Sequence, residues 1–118
     1  MMVQKQVWHS RTRYIIVVEG IATVQLELYD EPQGSDKVTA FICSLWVNED
    51  ERRYGHAGRI LDRAEEIAAK EGHKRVHLEW CSLDSPQWVL EWYIRRGYEE
   101  REFGPNSSLL VKELNQRK

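Results

Sequence analysis

A turn rich in glycine and arginine, RRYGHAG, occupies residues 52–58, after a long apolar run and before a helical pattern. The first four N–H groups of a helix have no partner within the helix, and they lie at the positive end of its dipole. The small residues Gly55, Ala57 and Gly58 let an anion approach that backbone closely. Four arginines add positive charge around the same helix end: Arg52, Arg53, Arg59 and Arg63. The spacing therefore predicts a binding site for a phosphate-like anion.

Two common phosphate-binding motifs do not fit this turn. It lacks the G-x-x-x-x-G-K-[ST] spacing of a P-loop and the G-x-G-x-x-G spacing of a dinucleotide-binding turn. It also follows several predicted strands, whereas the dinucleotide-binding turn follows the first strand of its fold. The turn therefore belongs to another class of phosphate site.

Composition limits the kind of protein that can carry this site. A chain of 118 residues allows one domain, residues 1–118, with a core large enough to need no disulfides. A net charge of −2 argues against a general nucleic-acid binder, and two cysteines form neither a disulfide framework nor a metal-ligand set. No apolar run is long enough for a membrane helix, and the first residues lack the apolar core of a signal peptide. We therefore expect a reduced, soluble, cytoplasmic domain with no metal, nucleic-acid or membrane partner.

Apolar or alternating runs predict four strands in the first half of the chain: residues 3–8, 13–19, 21–29 and 37–47. In the third run Val24, Leu26 and Leu28 alternate with polar residues, which is typical of a strand with one buried face. The fourth run is long and apolar enough to be a central strand buried on both faces. The anion-binding turn is therefore expected directly after a central strand.

Helical periodicity follows the turn, from Gly55 to Gly72, with one apolar stripe and a Glu66–Lys70 pair on the solvent side. An alternating run predicts the next strand at residues 73–81. A strand–helix–strand unit of this kind crosses over with right-handed connectivity and pairs in parallel. The predicted fold class is therefore α/β, with a central mixed (α+β) sheet and two main helices.

The last third of the chain supplies the second helix and the last strand. The helix is predicted at residues 88–96, with Asp84 as its cap and Pro86 near its first turn. The run 99–102 is rich in charge and is expected to be a solvated loop, and the last strand lies within residues 107–113.

Three features together resemble the GNAT superfamily of acetyl-CoA-dependent acyltransferases. The segment Arg52-x-x-Gly55-x-Ala57 resembles the family's R/Q-x-x-G-x-G/A turn, and Tyr93-x-x-x-Gly97-Tyr98 resembles its Y-x-x-x-G-F signature. The long strand that precedes the turn is similar to the family's central strand. The resemblance covers about residues 38–100. It implies a GNAT-like sheet with a parallel pair at the cofactor site and an N-acetyltransferase in which a primary amine attacks acetyl-CoA directly.

The resemblance also implies which residues bind acetyl-CoA. The backbone of residues 45–47 would hydrogen-bond the pantetheine arm, and backbone amides within residues 53–58 would hold the pyrophosphate. Counting from the predicted strand 73–81, Asp84 falls where the family often has an Asn near the cofactor, but counting back from Tyr93 reaches Pro86 instead. A cofactor contact and a helix cap therefore both remain open for Asp84. The implied cofactor-binding residues are Leu45, Trp46, Val47, Arg52, Arg53, Tyr54, Gly55, His56, Ala57, Gly58 and Asp84.

The resemblance implies two catalytic residues. Tyr93 matches the tyrosine that protonates the departing CoA thiolate, a step suited to a phenol that is protonated at neutral pH. Glu79 is the candidate base that takes a proton from the amine, directly or through water, and His77 on the same strand face is the other candidate. The structural alternatives are a half-buried helix aromatic for Tyr93 and a sheet-edge or paired carboxylate for Glu79. Cys43 and Cys81 are expected as small buried thiols on neighbouring strands.

The acceptor side of the predicted enzyme is short. The family normally places two helices between its first two strands, where they form one wall of the acceptor site, but here only residues 7–13 separate the two strands. Either a second subunit of a homodimer completes that wall, or a large acceptor brings its own surface. The amine can belong to a small molecule or to a protein. The alternative functions are a non-catalytic CoA-binding or regulatory module and an interaction domain that uses the five tryptophans.

Overall fold

The computed structural model describes residues 1–114 and shows one seven-stranded sheet with two α-helices. In chain order the strands before the anion-binding turn are β1 (Met2–Val7), β2 (Arg11–Val18), β3 (Ala22–Gln33) and β4 (Val38–Val47). A short 3₁₀ turn (Glu49–Glu51) leads to the remaining elements: α1 (His56–Lys70), β5 (Arg75–Cys81), α2 (Gln87–Arg95), β6 (Glu99–Phe103) and β7 (Ser107–Glu113).

The sheet has the strand order β1-β2-β3-β4-β5-β7-β6. All neighbouring strands are antiparallel except β4 and β5, which are parallel and are joined through α1. The mixed sheet, the two helices and the parallel pair predicted from the sequence are therefore confirmed. None of the helices in the described residues is long and apolar enough to span a membrane.

One face of the sheet carries the core. Strand register places Leu26 beside Ile42, Ile42 beside Leu78 and Leu78 beside Leu110, and all four side chains are buried. The apolar stripe of α1 packs on this face, and Leu90 and Tyr93 of α2 belong to the same buried cluster. The side chains that α1 contributes are Ile60, Leu61, Ala64, Ile67 and Ala68. Both helices therefore lie on one side of the sheet, which we call the covered face.

The opposite side carries the row Arg13, Glu27, Phe41, His77 and Val111, which register aligns across five strands. We call this side the open face, because neither α1 nor α2 packs on it. The prediction that the fourth strand is buried on both faces is therefore wrong. In β4 burial alternates instead, with the covered-face residues enclosed and the open-face residues half-buried.

Three local predictions are also wrong. The charged run 99–102 belongs to a strand, β6, which pairs with β7 at the edge of the sheet, where one side of the strand has no neighbouring strand. Glu66 pairs with Arg63 rather than with Lys70. Asp84 does not cap α2, because the N–H groups of Asp84 and Ser85 turn back onto the Cys81 carbonyl and delay the helix. The cap position is Pro86, where no side chain accepts a hydrogen bond from the helix.

Candidate active site

The ends of β4 and β5 separate beside the anion-binding turn. The two strands pair only at Phe41 with His77 and at Ile42 with Leu78. Beyond that point β4 contains an extra residue relative to β3, because Gln25 opposes Cys43 whereas Thr23 opposes Trp46. Ser44, inside this bulge, has a φ of 55°, which L-residues rarely adopt. The bulge leaves a gap between the ends of the two strands, in which backbone groups of β4 are not paired with β5.

The residues after the bulge divide between the two faces. Leu45 and Val47 pack against the core on the covered face. Trp46 lies between them in sequence and opposes Thr23, and its side chain is 48% exposed. The segment 45–47 is therefore an extended backbone whose β5 side is free to pair with an extended ligand.

The turn from β4 into α1 is fixed by its own polar contacts. The Asn48 side chain accepts a hydrogen bond from the Asp50 N–H and donates one to the Gly20 carbonyl (3.1 Å). Arg52 Nε donates to the carbonyl of Val47 at 3.2 Å, which ties the turn to the end of β4. These contacts hold the start of α1 next to the strand gap.

The N-terminus of α1 has no side-chain cap. Its cap residue, Gly55, has a φ of 81°, and no side chain among the described residues accepts a hydrogen bond from the first turn. A Cβ at Gly55 would lie 3.1 Å from Arg59 Nη1, the mobile end of a side chain, so it is the positive φ of the backbone that favours glycine here. The N–H groups of this uncapped first turn are of the kind that can bind an anion, and the anion site itself stays a prediction.

The charges around this helix end are of both signs. The 3₁₀ turn carries three carboxylates, and one of them, Glu51, lies 3.4 Å from His56 Nε2. Arg59 Nη2 contacts His56 Nδ1 at 2.7 Å, and Arg63 pairs with Glu66 outside the turn. The first turn of α1 itself holds no acidic residue. The side chains of Arg52, Arg53 and Tyr54 are exposed at its rim.

Arg96 joins the two helices and was not identified from the sequence. Its Nη2 donates to the Gly58 carbonyl at 3.2 Å and pairs with Asp62, both on α1. Its guanidinium also lies 5.2 Å from the Trp92 ring centre. A basic residue in the last turn of a helix was the only local signal, and that signal usually indicates an interaction with the helix's own carbonyls. Here the arginine fixes the C-terminus of α2 against the first turn of α1.

Tyr93 lies on α2, with its ring in the core and its hydroxyl without a hydrogen bond to the described residues. The side chain is 8% exposed and packs against the rings of Trp92 (5.3 Å between centres) and Tyr98 (5.8 Å). The hydroxyl makes no hydrogen bond with a described residue. It is also not closed off from solvent, because it is not one of the fully enclosed polar atoms that lack a partner. Burial raises the pKa of Tyr93, so the phenol stays protonated and neutral.

Tyr98 differs from Tyr93 although the two rings touch. The Tyr98 hydroxyl donates to Glu65 Oε2 at 2.7 Å, and Lys112 Nζ donates to Glu65 Oε1 at 2.8 Å. Burial and the Glu65 carboxylate raise the pKa of Tyr98. The Tyr98 proton is therefore held in a structural network, whereas the Tyr93 proton is available.

Glu79 and His77 both lie on the open face of β5, but in different surroundings. Glu79 is exposed and lies beyond the last residue pair between β4 and β5, at the gap. His77 lies within the paired region, opposite Phe41 and Val111, and is only 2% exposed. Desolvation lowers the pKa of His77, and nearby charges add smaller effects in both directions. The carboxylate is thus the accessible group of the two.

The remaining predicted residues lie outside the gap or at its margin. Asp84 is exposed in the turn that follows β5. Cys43 and Cys81 are free thiols on neighbouring strands, as expected, but they are half-buried rather than buried, and desolvation raises the pKa of Cys43. Within residues 1–114 no group of three or more His, Cys, Asp or Glu side chains is placed to hold a metal ion.

Comparisons with known proteins agree with this geometry. A model of the acetyltransferase (GNAT) family matches residues 2–98. No curated protein matches the chain significantly. An acetyltransferase from Bacillus cereus is 22% identical, with a TM-score of 0.67 over 88% of this chain and 73% of that one. A GNAT family acetyltransferase from Elizabethkingia anophelis with acetyl-CoA bound is 17% identical, with a TM-score of 0.65 over 89% of this chain and 77% of that one.

A third solved structure extends the likeness to a more distant source. PaiA N-acetyltransferase from Thermoplasma acidophilum, in complex with coenzyme A, is 14% identical, with a TM-score of 0.65 over 88% of this chain and 61% of that one. At such identities the solved structures show the shared fold, and the family model supplies the family. The resemblance and the class of enzyme predicted from the sequence are confirmed: the chain belongs to the acetyltransferase (GNAT) family.

Proposed function

We propose that this chain transfers the acetyl group of acetyl-CoA to a primary amine by direct attack of the amine on the thioester. The observation that carries the proposal is the gap at the ends of β4 and β5, which lies beside the uncapped N-terminus of α1. Two of the similar solved structures contain acetyl-CoA or coenzyme A, which supports the same ligand here.

The residues present fit the two polar parts of acetyl-CoA. The free backbone of Leu45, Trp46 and Val47 pairs with the amide groups of the pantetheine arm as an added strand would. The pyrophosphate lies on the N–H groups within residues 53–58, where Gly55 leaves the space that a side chain would fill. Asp84 lies on the far side of the gap, after β5, and we assign it no more than a marginal contact with the cofactor.

The chemistry then needs one proton acceptor and one proton donor. The amine nitrogen forms the new C–N bond while its proton passes to the Glu79 carboxylate, directly or through water. The C–S bond breaks, and the Tyr93 hydroxyl protonates the thiolate, because burial keeps that phenol neutral. Holding the amine in line with an already activated thioester contributes about 7–11 kcal/mol to lowering the barrier.

The two proposed catalytic groups lie on opposite faces of the sheet. Tyr93 belongs to the covered face, with the core, whereas Glu79 belongs to the open face. The amine therefore approaches from the open face, where no helix of the described chain encloses it. This arrangement admits an amine carried on a small molecule or on a protein surface.

Acetyl-CoA titration by calorimetry and thiol release from a panel of amines test the proposal together. Tyr93→Phe should lower kcat by about 10²–10⁴-fold and leave the Kd of acetyl-CoA unchanged, because the phenol acts only when the thiolate leaves. Tyr29→Phe makes the same chemical change on β3, away from the gap, and should change neither quantity. Failure to bind acetyl-CoA at high micromolar concentration would overturn the proposal.

Glu79→Gln tests the base separately. The variant should lose activity at neutral pH and recover much of it at higher pH, where the amine is already deprotonated. If His77→Asn shows that recovery and Glu79→Gln does not, the base is His77.

A non-catalytic CoA-binding module is the second candidate function. The observation that favours it is the open face itself, which leaves the acceptor side without a helical wall. Acetyl-CoA binding without thiol release from any amine in the panel would support this candidate and contradict the first. Gly55→Glu should abolish acetyl-CoA binding under both candidates, because it places a side chain and a negative charge where the phosphates lie.

A further inference from the structure

Strand β1 is one of the two edge strands of the sheet and is exposed along its whole length. It forms no part of the core. Half of the large apolar side chains that the described residues expose are nevertheless concentrated at this end of the chain. They are Met1, Met2, Val3, Val7 and Trp8. An exposed edge with apolar side chains is a template for pairing with another strand.

The hairpin geometry shows which backbone groups of β1 point outward. The Trp8 N–H donates to the Arg11 carbonyl at 2.9 Å, so residues 8 and 11 occupy a hydrogen-bonded position of the ladder. In an antiparallel ladder such pairs alternate with pairs that do not exchange them. The register between β1 and β2 continues without interruption from residues 8 and 11. In it the backbone groups of residues 4 and 6 hydrogen-bond to β2, and residues 3, 5 and 7 direct their N–H and C=O groups away from the sheet.

The sequence of this strand is self-complementary in the matching register. Residues 3–7 read Val-Gln-Lys-Gln-Val in both directions. A two-fold axis at Lys5 therefore places Val3 opposite Val7 and Gln4 opposite Gln6 in an antiparallel pair of β1 strands. The same register aligns the outward groups of residues 3, 5 and 7, so each of those residue pairs can exchange both backbone bonds.

The one unfavourable contact in this register is relieved within each chain. Lys5 would lie opposite its own copy, and like charges placed directly opposite are destabilising. Lys5 Nζ, however, lies 5.7 Å from the centre of the Tyr14 ring on β2, so the ammonium group leans away from the edge. The valines meet on the covered face, and the glutamine amides meet on the open face, where they can hydrogen-bond to each other.

We propose that β1 pairs with β1 of a second copy of this chain, about a two-fold axis at Lys5, and joins two seven-stranded sheets into one. The inference rests on the edge geometry and does not depend on the proposed function. One strand buries little area, so the dimer forms and dissociates with concentration rather than being obligate.

Sedimentation velocity over a wide concentration range is the first test. The mass should rise from 14.0 kDa towards twice that value as concentration increases. Lys5→Pro removes an outward N–H without touching a bond to β2, so it should keep the chain monomeric at all concentrations. Lys5→Thr keeps the donor and removes the like charge, so it should form dimers at lower concentration. A wild-type chain that stays monomeric at the highest concentration, or a dimer that Lys5→Pro leaves intact, overturns the proposal.

Cysteine cross-linking tests the register without relying on the proline variant. In a Cys43→Ser, Cys81→Ser background, Lys5→Cys lies on the axis and should form a disulfide-linked dimer under mild oxidation. Gln4→Cys lies opposite Gln6 of the other copy rather than its own equivalent and should cross-link poorly. Equal cross-linking of the two variants, or none at Lys5→Cys, contradicts the proposed pairing.

Discussion

The two faces of the sheet are built from alternate residues of the same strands, yet they treat polar groups differently. On the covered face the enclosed carboxylate of Glu65 is paired on both oxygens, with Tyr98 and with Lys112. On the open face, Glu27 Oε1 lies 3.6 Å from Arg11 Nη1, and His77 Nδ1 is enclosed without a hydrogen-bond partner in the described part of the chain. Beside the helices, Arg96 Nε is likewise enclosed without a partner among the described residues. Burying a polar atom without a partner costs free energy, so each side of the sheet bears one such cost, while the carboxylate of the covered face is the better satisfied of the two carboxylates.

The two faces also differ in the elements and side chains that they carry. The covered face holds the helices and the core, and its polar groups fix α1 and β7 in place. The open face carries the exposed Glu79 beside the gap, together with side chains that are only half-buried. Under the proposed function the amine approaches from this face, and polar atoms left without partners there would be consistent with a site that gains function at the expense of stability.

The largest expected effect comes from two adjacent isoleucines of β2. Ile16 points into the core and is 0% exposed, whereas Ile15 lies half-buried on the open face. Ile16→Ala should lower the free energy of unfolding by about 2–5 kcal/mol, because it removes buried carbon and leaves a cavity. Ile15→Ala should cost about 1 kcal/mol or less, since its surroundings are already partly hydrated. Urea unfolding of both variants measures the difference.

Equal losses of unfolding free energy in Ile16→Ala and Ile15→Ala would contradict the conclusion that no helix covers the open face. They would mean that something covers Ile15 in solution as completely as the helices cover Ile16. Repeating the measurement at low protein concentration distinguishes a second copy of the chain from a segment of the same chain, because only the former dissociates on dilution.

The next largest effect is the difference in lost unfolding free energy between substitutions of two glutamates that are buried on opposite faces. Glu65→Gln should lower the free energy of unfolding by about 1.5–3 kcal/mol, because a buried phenol and an ammonium group lose a charged acceptor. Glu27→Gln should cost about 0.5–1 kcal/mol, because its partners Arg11 and Arg13 are partly exposed and become hydrated. Chemical denaturation of the two variants, with Tyr98→Phe added to Glu65→Gln, measures both losses and the coupling. A larger loss for Glu27→Gln would reverse the comparison.

Much of this architecture was predictable where a pattern is local and strong. The last strand has the predicted bounds, residues 107–113, and α1 differs from the predicted helix only at its ends. Strand β6 was missed because a charged edge strand shows no apolar alternation. Its partner strand, rather than its own composition, decides its conformation.

The site was predictable in its residue types more than in its geometry. The glycine-rich turn identifies the start of α1, since a positive φ at Gly55 has a local signature. The bulge has none, because its positive φ falls on Ser44 and is imposed by pairing with β3. The contact of Arg96 with Gly58 joins residues that are distant in sequence, and the position of Asp84 depends on a backbone turn onto Cys81. Contacts of this kind arise from tertiary structure alone.

The smallest expected effect is the pH dependence that His77 gives to stability. Desolvation lowers its pKa below the ordinary value of 6.5, so the folded chain binds its proton less readily than the unfolded chain does. Stability should therefore fall as the pH drops through about 6.5, until the pH reaches the lowered pKa of the folded state. His73, whose pKa is also lowered by burial, acts in the same direction.

His77→Asn should flatten the fall in unfolding free energy between about pH 7.5 and 5.5, and the remainder should disappear when His73→Asn is added. Urea midpoints measured across that interval give both slopes. An unchanged slope in His77→Asn would mean that water or a protein group already solvates the imidazole. The open face would then be as well satisfied as the covered one, and the contrast between them would lie in apolar packing alone.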